Sequence, residues 1–374
     1  MTMEKAEAAV YEGPRRISIQ DFPLPKIGSD EMLIEMEMSG VCGTDIKIYK
    51  GDIPEINKLA PVILGDEILG HVLKCGEKAA KKHKVKRGDR VIVEARWPCH
   101  CCHYCLTGCY YLCEKGWVGT GYGWISCRER PHLWGSYATH VYVPPDALVY
   151  KVPDYLPSEV GILAASVLAN AVYWTDRVNI KVGDAVAIIG PGPLGIANAL
   201  VGKLKGAGTV IVVGLNKDRR RLEMAKKFGA DYTINAEKEN LLERIRQITN
   251  GTMADTVIEC AGTPRAMQEA LDIVKPRGSI NHVSITSWQS IPLIVQKIVM
   301  KELTILGSLG HPYTVKPAIE LATKLFDEKR YTLEKLITHK FPLERAEEAL
   351  KVAGYEVHGE EPIKTVIDLR IDKC

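Results

Sequence analysis

The first half of the chain holds four closely spaced cysteines, and their spacing indicates a metal centre. They follow the pattern C-x2-C-x2-C-x7-C as Cys99, Cys102, Cys105 and Cys113. Four thiolates at such short separations can converge on one tetrahedral Zn²⁺ and leave no coordination position open. We therefore predict a structural zinc site. Two more cysteines and two histidines leave the register of the ligand set open, namely Cys101, Cys109, His100 and His103.

A second chemical motif is a glycine-rich loop in the middle of the chain. Its sequence Gly190-Pro191-Gly192-Pro193-Leu194-Gly195 is a G-x-G-x-x-G between the apolar run 186–189 and the apolar segment 194–204. Between a strand and a helix, the first glycine makes a tight turn and the second lets the backbone approach a pyrophosphate. The third lets the helix pack closely, with the phosphates at its N-terminus. We predict a dinucleotide-binding loop.

The residues that follow the next apolar run, 210–213, influence which dinucleotide binds. An acidic side chain usually binds the ribose hydroxyls there, but Gly214 or Asn216 takes that position, depending on how a short insertion is aligned. Without this carboxylate a 2′-phosphate is not repelled, and Lys217, Arg219 or Arg220 can pair with it. We predict a preference for NADP(H) over NAD(H). The alternative is that these basic residues are solvated and both cofactors bind.

The elements that must position these motifs change type along the chain. From about residue 8 to 150, short β-type runs alternate with Gly and Pro, which predicts a β-rich, barrel-like domain. From about residue 166, apolar strands alternate with helical segments, which predicts a doubly wound parallel sheet. After about residue 307, two helical stretches precede a last strand at 364–369. The predicted class is α/β.

Composition limits the kinds of partner. A length of 374 residues favours two domains, and a net charge of +3 gives no reason to expect nucleic acid or membrane partners. We find neither an apolar run long enough to cross a membrane nor the apolar stretch of a signal peptide at the N-terminus. Eleven cysteines without a secretory signal favour the reducing cytoplasm.

In this order, the motifs make the chain similar to the zinc-containing medium-chain dehydrogenases/reductases, which include alcohol, sorbitol and threonine dehydrogenases. The resemblance covers nearly all residues and rests on the glycine loop, the four-cysteine lobe and the segments 40–45, 65–70, 86–91, 135–138 and 341–344. It implies a GroES-like catalytic domain over 1–165, with a zinc lobe at about 97–115, and a Rossmann domain over 166–306. Residues 307–374 would return to the catalytic domain.

The resemblance also implies a second, catalytic zinc that binds the alcohol oxygen while hydride passes to the nicotinamide. Cys42 matches a thiolate ligand, and Thr44 matches the hydroxyl that relays the alcohol proton. The chain departs from the family at three positions. Asp66 replaces the usual histidine ligand, Ser166 replaces the third ligand, and Lys47 stands where a relay histidine often lies.

These departures leave two interpretations of the centre. In the first, Cys42, Asp66 and Glu67 hold the metal with water, and the oxygen-rich set could also admit Mn²⁺ or Fe²⁺. In the second, the catalytic metal is weak or absent, and Thr44 or Lys47 polarises the substrate.

We predict a zinc-dependent NAD(P)-linked oxidoreductase that interconverts an alcohol, either a secondary alcohol or a polyol, and its carbonyl compound. One alternative is a zinc-independent NADPH reductase of an activated double bond or quinone. Another is a catalytically silent NAD(P)-binding subunit. The resemblance implies a homodimer or homotetramer, with residues 279–309 near the contact. The particular substrate does not follow from the sequence.

Overall fold

A computed structural model describes residues 5–286 and 290–371. Its strands in chain order are β1 Lys5–Gly13, β2 Arg16–Pro23, β3 Met32–Gly40, β4 Val62–Ile63, β5 Glu67–Cys75, β6 Arg90–Val93, β7 His140–Val143, β8 Val149–Lys151, β9 Ala185–Ile189, β10 Thr209–Gly214, β11 Tyr232–Asn235, β12 Ala254–Glu259, β13 Val274–His282, β14 Thr304–Gly307, β15 Ile337–Phe341 and β16 Lys364–Asp368.

The helices are α1 Gly43–Lys50, α2 Pro54–Leu59, α3 Glu77–His83, α4 His103–Leu106, α5 Ser158–Ala165, α6 Val167–Arg177, α7 Pro193–Leu204, α8 Arg219–Lys227, α9 Leu241–Ile248, α10 Pro264–Ile273, α11 Val295–Met300, α12 Val315–Asp327 and α13 Ala346–Ala353. Short 3₁₀ turns lie at Tyr110–Leu112, Asn216–Asp218, Leu333–Leu336 and Leu343–Arg345. Within the described ranges, every helix is too short or too polar to cross a bilayer.

The chain separates into two compact units. One comprises Met1–Ser166 with Ala318–Cys374, and the other comprises Val167–Pro317.

The first unit is built on β-sheets. A three-stranded sheet has the order β2-β1-β4, and a larger sheet has the order β15-β16-β3-β5-β6-β8, with β7 also pairing with β3. The late strand β16 pairs antiparallel with β3, so the C-terminal segment completes the larger sheet. One buried cluster packs the small sheet against α1 and α13, and a second fills the space beside β3, β5 and β6.

The second unit is a six-stranded sheet of order β11-β10-β9-β12-β13-β14, in which every neighbouring pair is parallel. Its first strand, β9, is the run AVAII, whose five residues are all buried. The strand order reverses between β9 and β12, where ligands bind in doubly wound sheets. The predicted α/β class, with a β-rich region and a doubly wound parallel sheet, is confirmed.

Candidate functional site

The four cysteines of the predicted zinc site lie together in the first unit. Their sulfur atoms are all within 4.8 Å of one another, and the Cys102–Cys113 sulfur separation is 4.0 Å. Sulfurs held about 2.3 Å from a tetrahedral ion would lie roughly 3.8 Å apart, so the set fits Zn²⁺. Cys101 is exposed and outside this group, although its Sγ lies 3.5 Å from that of Cys99.

Backbone N–H groups favour the thiolate at two of the four cysteines in this lobe, residues 99–113, because they lower the pKa values of Cys99 and Cys102. Burial raises the pKa of Cys105 to about 12 and also raises that of Cys113. Cys102 is the N-cap of α4, and its sulfur accepts the Cys105 N–H at 3.4 Å. The backbone N–H groups of Cys101 and Cys102 lower the pKa of the Cys99 thiol to about 5. Donors aimed at a sulfur favour its anion, which is the form that binds a metal.

The second group of predicted site residues surrounds the N-terminus of α1. Cys42 is the N-cap residue, and its backbone N–H donates to Asp45 Oδ2 at 2.8 Å. Asp45 is buried and also accepts from the Tyr137 hydroxyl at 3.0 Å and the Gly65 N–H at 3.3 Å. Sequence reasoning missed Asp45, although an acidic residue three positions after a helix N-cap was an available signal.

Gly65 controls how the chain enters the predicted Asp66–Glu67 ligand pair. It has φ +84°, and an added Cβ would lie 2.3 Å from Ser136 Oγ. Glycine adopts such a positive φ without the steric penalty of a side chain. Asp66 is half-buried, and Glu67 begins β5 and is buried. A larger residue at position 65 would therefore move both carboxylates.

Glu67 is held by a lysine from the other end of the chain. Its Oε1 lies 2.7 Å from Lys364 Nζ, and Lys364 also donates to the Val41 carbonyl at 2.9 Å. The other oxygen, Oε2, is buried and has no hydrogen-bond partner among the residues that the structure describes. It occupies space left by Gly40, where an added Cβ would be 1.8 Å away. One carboxylate oxygen of Glu67 is thus free to bind a cation.

The group of residues around Cys42, Asp66 and Glu67 contains more negative than positive side chains. Burial, then the carboxylates of Asp66, Asp45 and Glu67, raise the pKa of Cys42 to about 12, against the lowering effect of Lys364. Burial, then Asp45 and Glu67, likewise raise the pKa of Asp66 well above its usual range. A divalent cation would relieve this repulsion and favour the charged forms.

The candidate ligands of this centre are nevertheless not gathered as tightly as the four cysteines. Within residues 5–286 and 290–371, the four-cysteine lobe is the only group of three or more potential ligands whose donor atoms all lie within 4.8 Å. Thr44 is close to Cys42, with its Oγ1 3.7 Å from the sulfur. Lys47 lies half-buried on α1, and Ser166 is buried directly after α5.

In the second unit, the glycine loop joins β9 to α7. Gly190 has φ +102°, and an added Cβ would lie 3.0 Å from the Ala261 nitrogen. At Gly195 a Cβ would be 2.0 Å from the Gly190 oxygen, whereas at Gly192 the nearest atom is Arg221 Nη1 at 4.0 Å. Gly192 is the N-cap of α7, and Pro193 is its first residue. The loop combines a tight turn, close packing and an open approach to a helix N-terminus.

A cavity of about 270 Å³ lies beside this loop, at the carboxyl ends of the central strands. Four predicted cofactor residues line it, namely Gly190, Gly192, Gly214 and Lys217. Five others do not, namely Pro193, Leu194, Gly195, Asn216 and Arg219. Asn216 instead accepts a hydrogen bond from the Asn235 amide at 3.0 Å.

The cavity also contains charged residues that the sequence prediction did not name. Arg221, Arg265, Asp218 and Glu269 line it, and Arg265 forms an ion pair with Glu269 at 2.7 Å. Asp218 is buried, and its Oδ2 accepts the Leu215 N–H at 3.0 Å. A carboxylate is therefore present near the end of β10, although Gly214 and Asn216 are not acidic. Arg221 Nη1 lies 3.9 Å from Asp218 Oδ1 and offsets its charge.

Comparison with known proteins identifies the class. Residues 28–154 match the family described as alcohol dehydrogenase GroES-like domain, and residues 193–324 match zinc-binding dehydrogenase. The chain belongs to this family of zinc-binding alcohol dehydrogenases and is an oxidoreductase, which confirms the family and enzyme class predicted from the sequence.

Individual relatives span nearly the whole chain. A probable alcohol dehydrogenase of Mycobacterium tuberculosis is 34% identical over 96% of this chain and 97% of its own length. A sorbitol dehydrogenase of Halalkalibacterium halodurans is 32% identical over 92% of this chain and 94% of its own length. The crystal structure of an alcohol dehydrogenase from Thermotoga maritima has a TM-score of 0.85 at 28% identity, covering 98% and 99% of the two chains.

Proposed function

We propose that this enzyme interconverts a secondary alcohol or a polyol and its carbonyl compound, with NAD(P) as the hydride carrier. The observation that carries the proposal is the negative centre around Cys42, where the buried Glu67 Oε2 accepts no hydrogen bond from the described part of the chain. The sorbitol dehydrogenase relative supports a polyol as the substrate class.

In this proposal, Cys42, Asp66 and Glu67 hold the catalytic Zn²⁺. One thiolate and two carboxylates are an acceptable donor set for zinc. A Zn²⁺ held there would supply the Lewis-acid chemistry that lowers the pKa of an alcohol. Thr44, whose hydroxyl lies beside the Cys42 sulfur, relays the alcohol proton by accepting it and passing its own hydroxyl proton to water, and Lys47 on the same helix supplies positive charge. Lys364 keeps one oxygen of Glu67 in place.

The four-cysteine lobe holds the structural zinc in this proposal. Its donors are Cys99, Cys102, Cys105 and Cys113, and they leave no position for substrate. We retain the three segments 1–165, 166–306 and 307–374 as the proposed domain organisation, and the cytoplasm as the proposed location.

The cofactor is bound by the cavity beside the glycine loop, and we propose that NADP(H) is slightly favoured over NAD(H). The Asp218 carboxylate is occupied by the Leu215 N–H and faces Arg221, so it repels a 2′-phosphate less than a free carboxylate would. Lys217 and Arg221 line the cavity and can pair with the phosphate. A lower Michaelis constant for NAD⁺ than for NADP⁺ would contradict this preference.

We further propose a homodimer or homotetramer whose contact includes the β14 edge of the parallel sheet. Val299 and Met300 on neighbouring α11 are 64% and 73% exposed, and Ile305 on β14 is 36% exposed. An exposed apolar surface beside an unpaired strand edge is typical of an interface. The predicted contact segment 279–309 includes residues 287–289, which lie outside the described residues. Light scattering that gave a monomer would refute the proposal.

The decisive experiment measures the metal content of protein purified without added metal. The same preparation is assayed for oxidation of a panel of secondary alcohols and polyols. We expect two Zn²⁺ per chain in the wild type, one in Cys42→Ser, and loss of turnover in that variant. Cys75→Ser is the matched control, because this half-buried thiol belongs to neither centre.

The more open arrangement of Cys42, Asp66 and Glu67 supports a second candidate, the zinc-independent NADPH reductase of an activated double bond or quinone. One Zn²⁺ per chain, with enone reduction that survives chelation and no turnover of any alcohol, would establish it. Cofactor binding without turnover of any substrate would instead indicate the silent subunit.

A further inference from the structure

Arg96 is a buried arginine at the base of the four-cysteine lobe. It lies three residues after β6, forms a β-bridge with Gly121, and is only 5% exposed. Arginine is rarely buried unless a negative group compensates its charge. The partners of this side chain therefore need to be identified.

The contacts of the Arg96 guanidinium are almost entirely neutral. Nη1 donates to the Tyr111 carbonyl, and Nη2 donates to Thr120 Oγ1 at 3.4 Å. The group lies 4.2 Å from the centroid of the Trp117 ring, and within residues 5–286 and 290–371 its buried Nε has no hydrogen-bond partner. Tyr111 and Thr120 lie on opposite sides of Cys113 in the sequence, so Arg96 joins two segments that flank this ligand.

No carboxylate in the described ranges, 5–286 and 290–371, forms an ion pair with Arg96. Glu94, two residues earlier, accepts hydrogen bonds from the Tyr110 and Tyr150 hydroxyls instead. Burial lowers the pKa of Arg96 to about 10, and the charges of Cys113, then Cys105, then Tyr110 act in the opposite direction. Two of these three groups, Cys113 and Cys105, thus belong to the four-cysteine lobe.

Charge balance connects these facts. Four thiolates around one Zn²⁺ leave a surplus of two negative charges in a partly buried lobe. A buried cation without a carboxylate partner and a thiolate centre with excess negative charge stabilise each other when they lie close together. Groups around the ligands of a metal commonly tune its affinity in this way.

We propose that Arg96 is the counter-ion and positioning residue of the four-cysteine zinc centre: it offsets the surplus thiolate charge and ties together the segments on either side of Cys113. This rests on the proposed assignment of zinc to the lobe. Removal of the charge should therefore weaken zinc retention even where the shape of the side chain is largely kept.

Zinc release to a chromogenic chelator tests the proposal. The measurement is made in a Cys42→Ser background, so that a single thiolate-containing centre remains. Arg96→Met should release zinc about 10- to 100-fold faster than the parent, the usual effect of losing a group beside metal ligands. Arg96→Lys, which keeps the charge, should lie much closer to the parent. Thr120→Val, which removes two hydrogen bonds (one from Arg96 and one to the Gly116 carbonyl) but no charge, should stay within about threefold.

A thermal comparison separates charge balance from simple packing. With zinc bound, Arg96→Met should unfold at a lower temperature than the parent. After zinc removal and protonation of the thiols, the variant should be at least as stable as the parent, because an unpaired buried charge has been deleted. Arg96→Gln, which can still hydrogen bond to both neighbouring segments, replaces Arg96→Met if that variant does not fold.

Two results would overturn the proposal, and they are distinguishable. Arg96 would serve packing alone if the zinc-loaded parent and Arg96→Met released zinc at equal rates. The same conclusion would follow if Arg96→Met lost equal stability with and without zinc. A parent without zinc in the lobe would overturn the zinc assignment itself, and this proposal with it.

Discussion

The buried ion pair between Lys364 and Glu67 gives a quantitative test of the candidate catalytic centre. The two side chains are 3% and 2% exposed, and their charged atoms lie 2.7 Å apart. Lys364→Met would leave the Glu67 carboxylate buried without its cation, and the Val41 carbonyl without its donor. Breaking a buried pair on one side costs about 3–5 kcal/mol. In a unit of this size, that is a fall of roughly 6–20 °C in unfolding temperature.

The assay is thermal and denaturant unfolding of Lys364→Met, Glu67→Gln and the double variant. We expect the double variant to recover part of the loss, because it contains no unpaired buried charge. Lys364→Arg is the control that keeps the cation. Added Zn²⁺ should raise the unfolding temperature of Lys364→Met, because a metal beside Glu67 would replace the missing positive charge. A loss below about 1 kcal/mol in Lys364→Met would refute the reasoning, since it would mean that Glu67 is not a buried anion held by this lysine.

Three more predictions concern other parts of the chain. Burial raises the pKa of Glu94 from its usual 4.5 to about 7, so its stabilising contribution is fully present below pH 4.5 and is lost as the pH rises to 7. The free energy of unfolding should therefore fall by roughly 3 kcal/mol over this range, and Glu94→Gln should abolish that fall. Gly195→Ala should raise the dissociation constant for NADPH at least about tenfold, because its Cβ would meet the Gly190 oxygen. Gly202→Ala on the same helix is the control, since its Cβ has room, and fluorescence measures binding to both variants. Cys113→Ser should lose the lobe zinc in metal analysis, whereas Cys101→Ser, outside the cluster, should retain it.

The second unit was largely predictable because its elements follow from local patterns. Short runs of Val, Ile and Ala are typical of strands buried on both faces; β9 (AVAII) has this composition, and so does the run VIVV within β10. Because parallel strands need crossover helices, the alternation of strands and helices predicts the doubly wound sheet. The glycine loop was found for the same reason, since its spacing is a property of one strand, one turn and one helix.

The charged lining of the cofactor cavity was less predictable. Asp218 and Arg221 follow β10, but whether their side chains enter the cavity depends on the 3₁₀ turn at Asn216–Asp218 and on the packing of α8. The sequence alone placed Arg219 and Asn216 there instead. Side-chain direction changes by roughly 100° from one helical residue to the next, so a small error in where the helix begins selects the wrong residue.

The sequence by itself determined the four-cysteine lobe and the glycine loop, because each depends on residues close together in the chain, and the family, because it depends on the order of such short motifs. Only the tertiary structure decided the surroundings of these motifs. Lys364 reaches Glu67 across 297 positions, and Arg96 is buried beside a lobe that contains no carboxylate partner for it. The physical reason is that local spacing fixes local backbone geometry, whereas burial and charge balance depend on which distant segments pack together.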